Sequence, residues 1–139
     1  MKILLAVDGS PYTKKMLAYL AAHEMFSPKN EYTAFTAQMV LPSQARAALG
    51  KEVVAKYHED EGQRIMNPVQ RFLERQGVKV KCAWKAGNPG ELIAKLAEAE
   101  KFDLVVMGSH GHGALVNLMV GSVATKVLAS CKVPVLIVR

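Results

Sequence analysis

The stretch from residue 104 to residue 128 limits the folds open to this chain more than any other. It begins with four apolar residues typical of a buried strand, continues through a glycine-rich loop from Gly108 to Ser122, and then becomes helical. Glycines let the backbone approach a phosphate closely, and the free N–H groups of a first helical turn point toward it. The stretch therefore predicts an anion-binding loop at a strand end, although glycines that only form tight turns would give the same pattern.

Apolar runs and helical patterns alternate along the chain. The segment 2–7 begins with a lysine and is otherwise a continuous apolar run, as expected for a strand covered on both faces. Within residues 78–85, apolar residues alternate with lysines over most of the segment, as expected at the edge of a sheet. The predicted strands cover residues 2–7, 32–40, 78–85, 102–107 and 133–138. The alternation predicts an α/β protein, a three-layer sandwich with helices on both faces of a five-stranded parallel sheet.

The segment from residue 43 to residue 76 has a helical pattern with interruptions at Gly50, Gly62 and Pro68. A proline lacks the N–H that the helix uses, so we expect Pro68 to break or kink any helix that runs through it. The charged residues 58–61 are expected to form a solvated helix face rather than a metal site, because no second set of ligands is placed to meet them.

The composition fits one globular domain that spans residues 1–139. The apolar run at the N-terminus is too short for a signal peptide or a membrane span, which predicts a cytoplasmic protein. Cys82 and Cys131 show no metal-ligand spacing, so we expect both to be reduced and buried. The net charge of +6 is spread along the chain without a basic cluster, which argues against nucleic acid as the main partner.

A second strand end carries a polar side chain, Asp8, directly after the first predicted strand. Ligands of parallel sheets bind beyond the carboxyl ends of the strands, so Asp8 and the glycine loop share a cleft if their strands are neighbours. The carboxylate can then accept from ribose hydroxyls or hold a magnesium ion that bridges to phosphates. Alternatively, Asp8 only accepts hydrogen bonds within its own turn. His110 and His112 present a similar choice, between a cation near the phosphates and a solvated or backbone-bonded loop histidine.

The spacing within the loop is specific: Gly108, two residues, Gly111, nine residues, and then Gly121 and Ser122. This spacing resembles the universal stress protein family in its nucleotide-binding branch, as do the strand end at residues 7–10 and the terminal segment 121–138. The resemblance implies a Rossmann-like, adenine nucleotide α-hydrolase-like fold with strand order 3-2-1-4-5. It also implies a homodimer that pairs through the last strand, Val135–Val138.

The same resemblance implies a site for ATP, or for AMP or ADP, with Mg²⁺ bridging the phosphates. Adenine would lie near the first two strand ends, ribose at Asp8, and the phosphates on the loop and the last helix. The implied binding residues are Val7, Asp8, Met39, Met107, Gly108, Ser109, Gly111, Gly121, Ser122 and Val123. Some family members carry an arginine in the loop where this chain has Asn117, which removes a cation from the phosphate end.

No activated nucleophile, general-base pair or carboxylate dyad accompanies the loop in the sequence. We therefore expect an ATP-binding stress-response protein with at most slow ATP hydrolysis. One alternative is a dimeric interaction module of the same fold that does not bind nucleotide. Another is an enzyme such as an adenylate-forming ligase, which ranks last because the chain has no HxGH signature after the first strand.

Overall fold

The computed structural model describes residues 1–112 and 119–139. Strands and helices alternate along these residues, as predicted, and the ends of all five strands lie within two residues of their predicted positions. The bounds are β1 Lys2–Ala6, α1 Pro11–Ala22, β2 Glu31–Gln38, α2 Ser43–Leu49, α3 Lys51–Arg75, β3 Val80–Ala86, α4 Pro89–Ala99, β4 Leu104–Gly108, α5 Ser122–Ser130 and β5 Val135–Val138. Across the described ranges, no helix is both long enough and apolar enough to cross a membrane.

The five strands form one parallel sheet in the order β3-β2-β1-β4-β5. β1 lies at the centre, where Leu4 is paired with Thr33 of β2 on one side and with Val105 of β4 on the other. This order confirms the one that the family resemblance implied. Because all the strands are parallel, they end at the same edge of the sheet, and the ends of β1 and β4 are neighbours there.

Both faces of the sheet are covered by helices. Successive residues of a strand point to opposite faces, so Leu5 packs in the core under α1 and α3 whereas Leu4 packs under α4 and α5. Both leucines are fully buried. Burial of a leucine side chain contributes about 1.5–3 kcal/mol, which explains why β1 is apolar without alternation. The predicted three-layer sandwich is confirmed.

The central helical segment divides at Gly50, whose φ of 85° lies in the left-handed region that glycine tolerates. The expected break at Pro68 is wrong, because α3 runs through this proline to Arg75. Apolar side chains of α3 are buried on both sides of it: Ile65, Met66, Val69 and Leu73. Together their burial contributes more than the roughly 3 kcal/mol that a proline costs within a helix.

Cys82 and Cys131 are free thiols, and each is half-buried, so the expectation of full burial is wrong. Cys82 lies on the edge strand β3, where part of its side chain stays open to solvent. Burial still disfavours the thiolate and raises the pKa of the Cys82 thiol.

Candidate functional site

A cleft of about 760 Å³ opens at the edge of the sheet where the strands end. The ends of β1, β2 and β4 and the start of α5 contribute to its walls. All ten residues that the family resemblance implied for a nucleotide site line this cleft: Val7, Asp8, Met39, Met107, Gly108, Ser109, Gly111, Gly121, Ser122 and Val123. The fold thus brings together residues from both ends of the chain.

Asp8 follows β1 and organises the turn into α1. Its Oδ1 accepts hydrogen bonds from the backbone N–H of Ser10 at 2.9 Å and from the hydroxyl of Thr13 at 3.0 Å. The Thr13 oxygen in turn accepts from the N–H of Asp8 at 3.1 Å. Thr13 is buried, so these bonds fix the carboxylate in the wall of the cleft.

The glycine loop rests on the other oxygen of Asp8. The backbone N–H of His112 donates to Oδ2 at 3.1 Å, and Nε2 of the His112 ring donates to the Asp8 carbonyl oxygen at 2.7 Å. Gly111 lies so close to Oδ2 that a Cβ at this position would overlap it. The loop therefore requires glycine at position 111. His112 is the backbone-bonded loop histidine that the sequence left as one of two possibilities.

Hydrogen bonds from the turn keep the Asp8 carboxyl ionised. Burial by itself raises the pKa of this carboxyl, but the bonds from Ser10 and Thr13 and the neighbouring His112 ring lower it, and the resulting pKa is below the usual value. Asp8 is therefore an anion at neutral pH. A carboxylate has about four acceptor positions. The turn and the loop use three of them, which leaves one for a ligand.

Replacing Asp8 with asparagine should lower the free energy of unfolding at neutral pH by about 1–3 kcal/mol, because the charged acceptor of three hydrogen bonds is lost. The folded pKa of Asp8 lies below the unfolded one. The contribution of the carboxylate is therefore fully present above the unfolded pKa, about 3.9, and is lost as the pH falls through the folded value. Urea unfolding of both proteins across this range should show the difference closing toward acid, and a difference that is independent of pH would contradict this account.

The two ends of the glycine loop meet at the start of α5. The N–H of Gly121 donates to the carbonyl oxygen of Ser109 at 2.6 Å, and a Cβ at Gly121 would lie 3.2 Å from that oxygen. The N–H of Ser109 donates to the carbonyl oxygen of Val138 on β5 at 2.8 Å. Ser109 and Gly121 thus use their N–H groups within the chain. The N–H groups of Ser122 and Val123, in the first turn of α5, have no acceptor inside the helix.

His110 lies beside the start of α5 and is held differently from His112. Its ring packs against Tyr12 of α1, with 5.1 Å between the ring centroids, and its Nδ1 lies 2.9 Å from the Ser109 hydroxyl. Gly108 permits this approach of α1, because a Cβ there would lie 2.9 Å from the Cβ of Tyr12. Asn117, which occupies the place of a loop arginine in some relatives, lies outside the described residues.

The wall of the cleft formed by the connection between β3 and α4 was not predicted from the sequence. Gly87, Asn88 and Pro89 line the cleft there. Met39, which was predicted, lines the cleft from the end of β2 and is 86% exposed. The N–H of Gly87 donates to the carbonyl oxygen of Gln38 at 2.8 Å, which ties this connection to the end of β2. The sequence did contain a signal for this wall. Asn88 is the N-cap of α4, so it marks another strand end that leads into a helix at the same edge of the sheet.

Gln38 also joins the end of β2 to α3. Its Nε2 donates to the carbonyl oxygen of His58 at 2.8 Å, and Nδ1 of His58 donates back to Oε1 of Gln38 at 2.5 Å. Gln38 is buried and His58 is half-buried, whereas Glu59 and Asp60 are exposed. Glu59 and Asp60 thus lie on the predicted solvated face of the helix, whereas His58 is bonded to Gln38 at the edge of that face.

A parallel sheet, a cleft at its carboxyl edge and a glycine loop that leads into a helix together define a Rossmann-like α/β protein with a strand-end ligand cleft. The family model described as the universal stress protein family matches residues 1–139. The chain belongs to this family.

Curated relatives carry the same family name. Universal stress protein MJ0531 of Methanocaldococcus jannaschii is 35% identical over 88 residues, which cover 63% of this chain and 52% of the relative. Universal stress protein Slr1230 of Synechocystis is 28% identical over 138 residues, which cover 99% of this chain and 42% of the relative. The chain thus spans about half the length of these relatives.

Solved structures share the fold over nearly the whole chain. Protein MJ0577 of Methanocaldococcus jannaschii has a TM-score of 0.81 at 28% identity, covering 99% of this chain and 94% of that one. An Arabidopsis thaliana universal stress protein solved with AMP bound has a TM-score of 0.71 at 15% identity, covering 99% and 90% of the two chains. An Archaeoglobus fulgidus universal stress protein in complex with dAMP has a TM-score of 0.69 at 18% identity, covering 100% and 98%.

Proposed function

We propose that this chain binds an adenine nucleotide in the cleft at the sheet edge: ATP, with ADP and AMP as alternatives. One observation carries the proposal, which is that Asp8, the glycine loop and the start of α5 converge on a single cleft. Membership in the universal stress protein family supports it, and so do the AMP and dAMP bound by proteins of the same fold. A regulatory role in a stress response and a cytoplasmic location are parts of the same proposal.

Each region of the cleft holds one part of the nucleotide in this proposal. The base lies by Val7 and Met39, the ribose donates a hydroxyl to the remaining acceptor position of Asp8, and the phosphates face Ser122 and Val123. The dipole of α5 adds roughly 0.3–1 kcal/mol of attraction for an anion. Five further residues form the backbone wall beside the phosphates: Met107, Gly108, Ser109, Gly111 and Gly121.

Asp8 also fits Mg²⁺ as a single carboxylate ligand. Mg²⁺ prefers oxygen ligands, keeps several waters, and is bound through one or two carboxylates together with substrate phosphates. One acceptor position of Asp8 is unused by the turn and the loop, which allows one such bond. When bound, the ion neutralises phosphate charge. The ribose and the ion therefore compete for the same position on Asp8.

We propose at most slow ATP hydrolysis, because Asp8 is a poor general base. A general base is most effective when its pKa lies near the operating pH, whereas the pKa of Asp8 is held below its usual value. Its Oδ1 is also bonded to Ser10 and Thr13, which leaves that oxygen little freedom to position a water molecule.

The proposal is tested by denaturing the purified protein, identifying any released nucleotide by chromatography, and titrating the protein with ATP, ADP and AMP in a calorimeter. We expect an adenine nucleotide to be released or to bind with a micromolar dissociation constant, about −8 kcal/mol. With ATP and Mg²⁺, turnover should be at least about 100-fold below 1 s⁻¹, the lower end for typical enzymes. Protein that carries no nucleotide and binds none of the three would contradict the proposal.

The edge strand β5 favours a second candidate function, a dimeric interaction module. β5 ends the sheet and consists of the apolar residues Val135–Val138. The carbonyl groups of Pro134 and Val138 accept hydrogen bonds from the β4 side. Because a strand has a period of two, the N–H and C=O groups of Val135 and Ile137 face outward. We propose that they pair with β5 of a second copy, since an apolar edge without charges invites such pairing.

Replacing Ile137 with proline should produce a folded but less stable monomer. Proline removes an outward N–H and is tolerated at a sheet edge, while part of the Ile137 packing against the core under α4 and α5 is lost. Light scattering during size-exclusion chromatography measures the mass. Val138→Pro is the matched control, since its N–H faces β4 and its loss should lower the stability of the fold itself. A dimer of unchanged mass for Ile137→Pro would rule out pairing through β5.

A further inference from the structure

Three backbone N–H groups of the glycine loop are already bonded within the chain. That of His112 donates to Asp8 Oδ2 at 3.1 Å. Those of Gly121 and Ser109 donate to the carbonyl oxygens of Ser109 and Val138, at 2.6 Å and 2.8 Å. These bonds hold the loop against β1 and β5. The three N–H groups are therefore not available to a phosphate unless the loop rearranges.

The first turn of α5 supplies a separate set of donors to the same cleft. The N–H groups of Ser122, Val123 and Ala124 have no acceptor within the helix, and all three residues line the cleft. The Ser122 hydroxyl adds one more donor at this end of the helix. Donors gathered at one helix end suit a single phosphate group with its terminal oxygens. Further phosphates in a chain would extend beyond this turn.

Charge in the cleft acts against those further phosphates. Among the described residues that line the cleft, Asp8 is the acidic one, and it is ionised at neutral pH. Residues 108–122 contain His110 and His112 but no lysine or arginine. The net charge of +6 attracts any phosphate ligand from a distance, yet salt at about 0.15 M screens exposed charges beyond about 8 Å. The groups within the cleft therefore decide between ligands.

We infer that the chain by itself holds one phosphate group, so that without a divalent cation it binds a nucleoside monophosphate such as AMP more tightly than ATP. This inference rests on the proposed nucleotide site and names its preferred ligand class. The start of α5 binds the single phosphate, whereas the outer phosphates of ATP stay near the Asp8 carboxylate, and no lysine or arginine is among the described residues that line the cleft. Mg²⁺ neutralises part of that phosphate charge when bound, so the preference for AMP is largest in its absence.

The test is calorimetric titration with adenosine, AMP and ATP in EDTA at about 0.15 M salt. We expect the dissociation constant of AMP to be at least about tenfold lower than that of ATP, and Mg²⁺ to narrow the difference.

Ser122→Asp places a carboxylate where the phosphate lies, at a helix start that tolerates acidic residues. This variant should weaken the binding of AMP at least about tenfold and that of adenosine much less, because adenosine carries no phosphate. Ser130→Asp, at the exposed far end of α5, is the matched control and should leave both affinities unchanged.

The possible outcomes separate this inference from the proposed function. ATP that binds in EDTA as tightly as AMP, or more tightly, would overturn the inference and leave the nucleotide site in place. Equal losses of AMP and adenosine affinity in Ser122→Asp would contradict binding of the phosphate at the first turn of α5. Failure of adenosine, AMP and ATP all to bind would overturn the proposed function, and the inference with it.

Discussion

Replacing Gly111 with valine should weaken AMP binding by at least about 100-fold, which corresponds to about 2.7 kcal/mol. The reason is steric, because a Cβ at position 111 would overlap Oδ2 of Asp8. Either the loop or the carboxylate must move, and the hydrogen bond from the His112 N–H to Oδ2 is lost in both cases. A hydrogen bond to a charged group contributes about 1.5–3 kcal/mol, and the change also displaces the proposed ribose acceptor. Calorimetric titration with AMP measures the loss.

A double-mutant cycle isolates this contact from general damage to the loop. Asp8→Ala removes the oxygen that the new side chain would strike, so Gly111→Val should cost much less affinity in that background than in the wild type. Gly77→Ala is a control for glycine replacement, since a Cβ at Gly77 meets no atom within 4 Å. It should leave AMP affinity unchanged even if its positive φ costs some stability. Wild-type affinity in Gly111→Val would show that the loop does not rest on Asp8.

Local patterns in the sequence were sufficient for most of the fold. The continuous apolar run of β1 predicted two covered faces, and Leu4 and Leu5 do lie under different helix pairs. Asn88, which precedes a proline as an N-cap often does, caps α4, because its Oδ1 accepts from the N–H of Glu91 at 3.1 Å. The strand order came from the family resemblance, since nothing local says which parallel strands are neighbours. The predicted break at Pro68 is wrong because the local cost of the proline is outweighed by burial against the sheet, which local rules do not include.

The candidate site was predictable where it depends on strand ends and not where it depends on long-range pairing. Asp8 and the glycine loop stood out because polar residues and glycines directly follow apolar strands. The two hydrogen bonds between His112 and Asp8 join residues 104 positions apart, so no spacing rule indicates them. The same holds for Ser109, which the family resemblance placed in the nucleotide site and whose N–H donates to Val138 on β5. Long-range pairing thus leaves fewer N–H groups of the loop free for a ligand than the motif suggests.

Replacing Gly62 with alanine should destabilise the fold by about 2 kcal/mol, although this change inside a helix usually stabilises by about 1 kcal/mol. Gly62 is buried within α3 and faces the ring of Trp84 on β3. A Cβ there would lie 2.6 Å from Cε2 and 2.7 Å from Cε3 of that ring, so α3 or Trp84 must shift. Trp84 packs against the core under α1 and α3, where overpacking typically costs about 1–3 kcal/mol. Urea unfolding measures the loss.

The shift at Gly62 should also reach the cleft, because His58 lies one turn earlier on α3 and is bonded twice to Gln38 at the end of β2. AMP affinity should therefore fall together with stability. Trp84→Leu should make room for the new methyl group, so the double variant should lose less stability than the sum of the two single changes. Ala55→Gly on the exposed face of α3 is the control, expected to lose about 1 kcal/mol from helix propensity alone and to bind AMP normally. If Gly62→Ala were more stable than the wild type, α3 could not pack on β3 as closely as the Gly62–Trp84 contact requires.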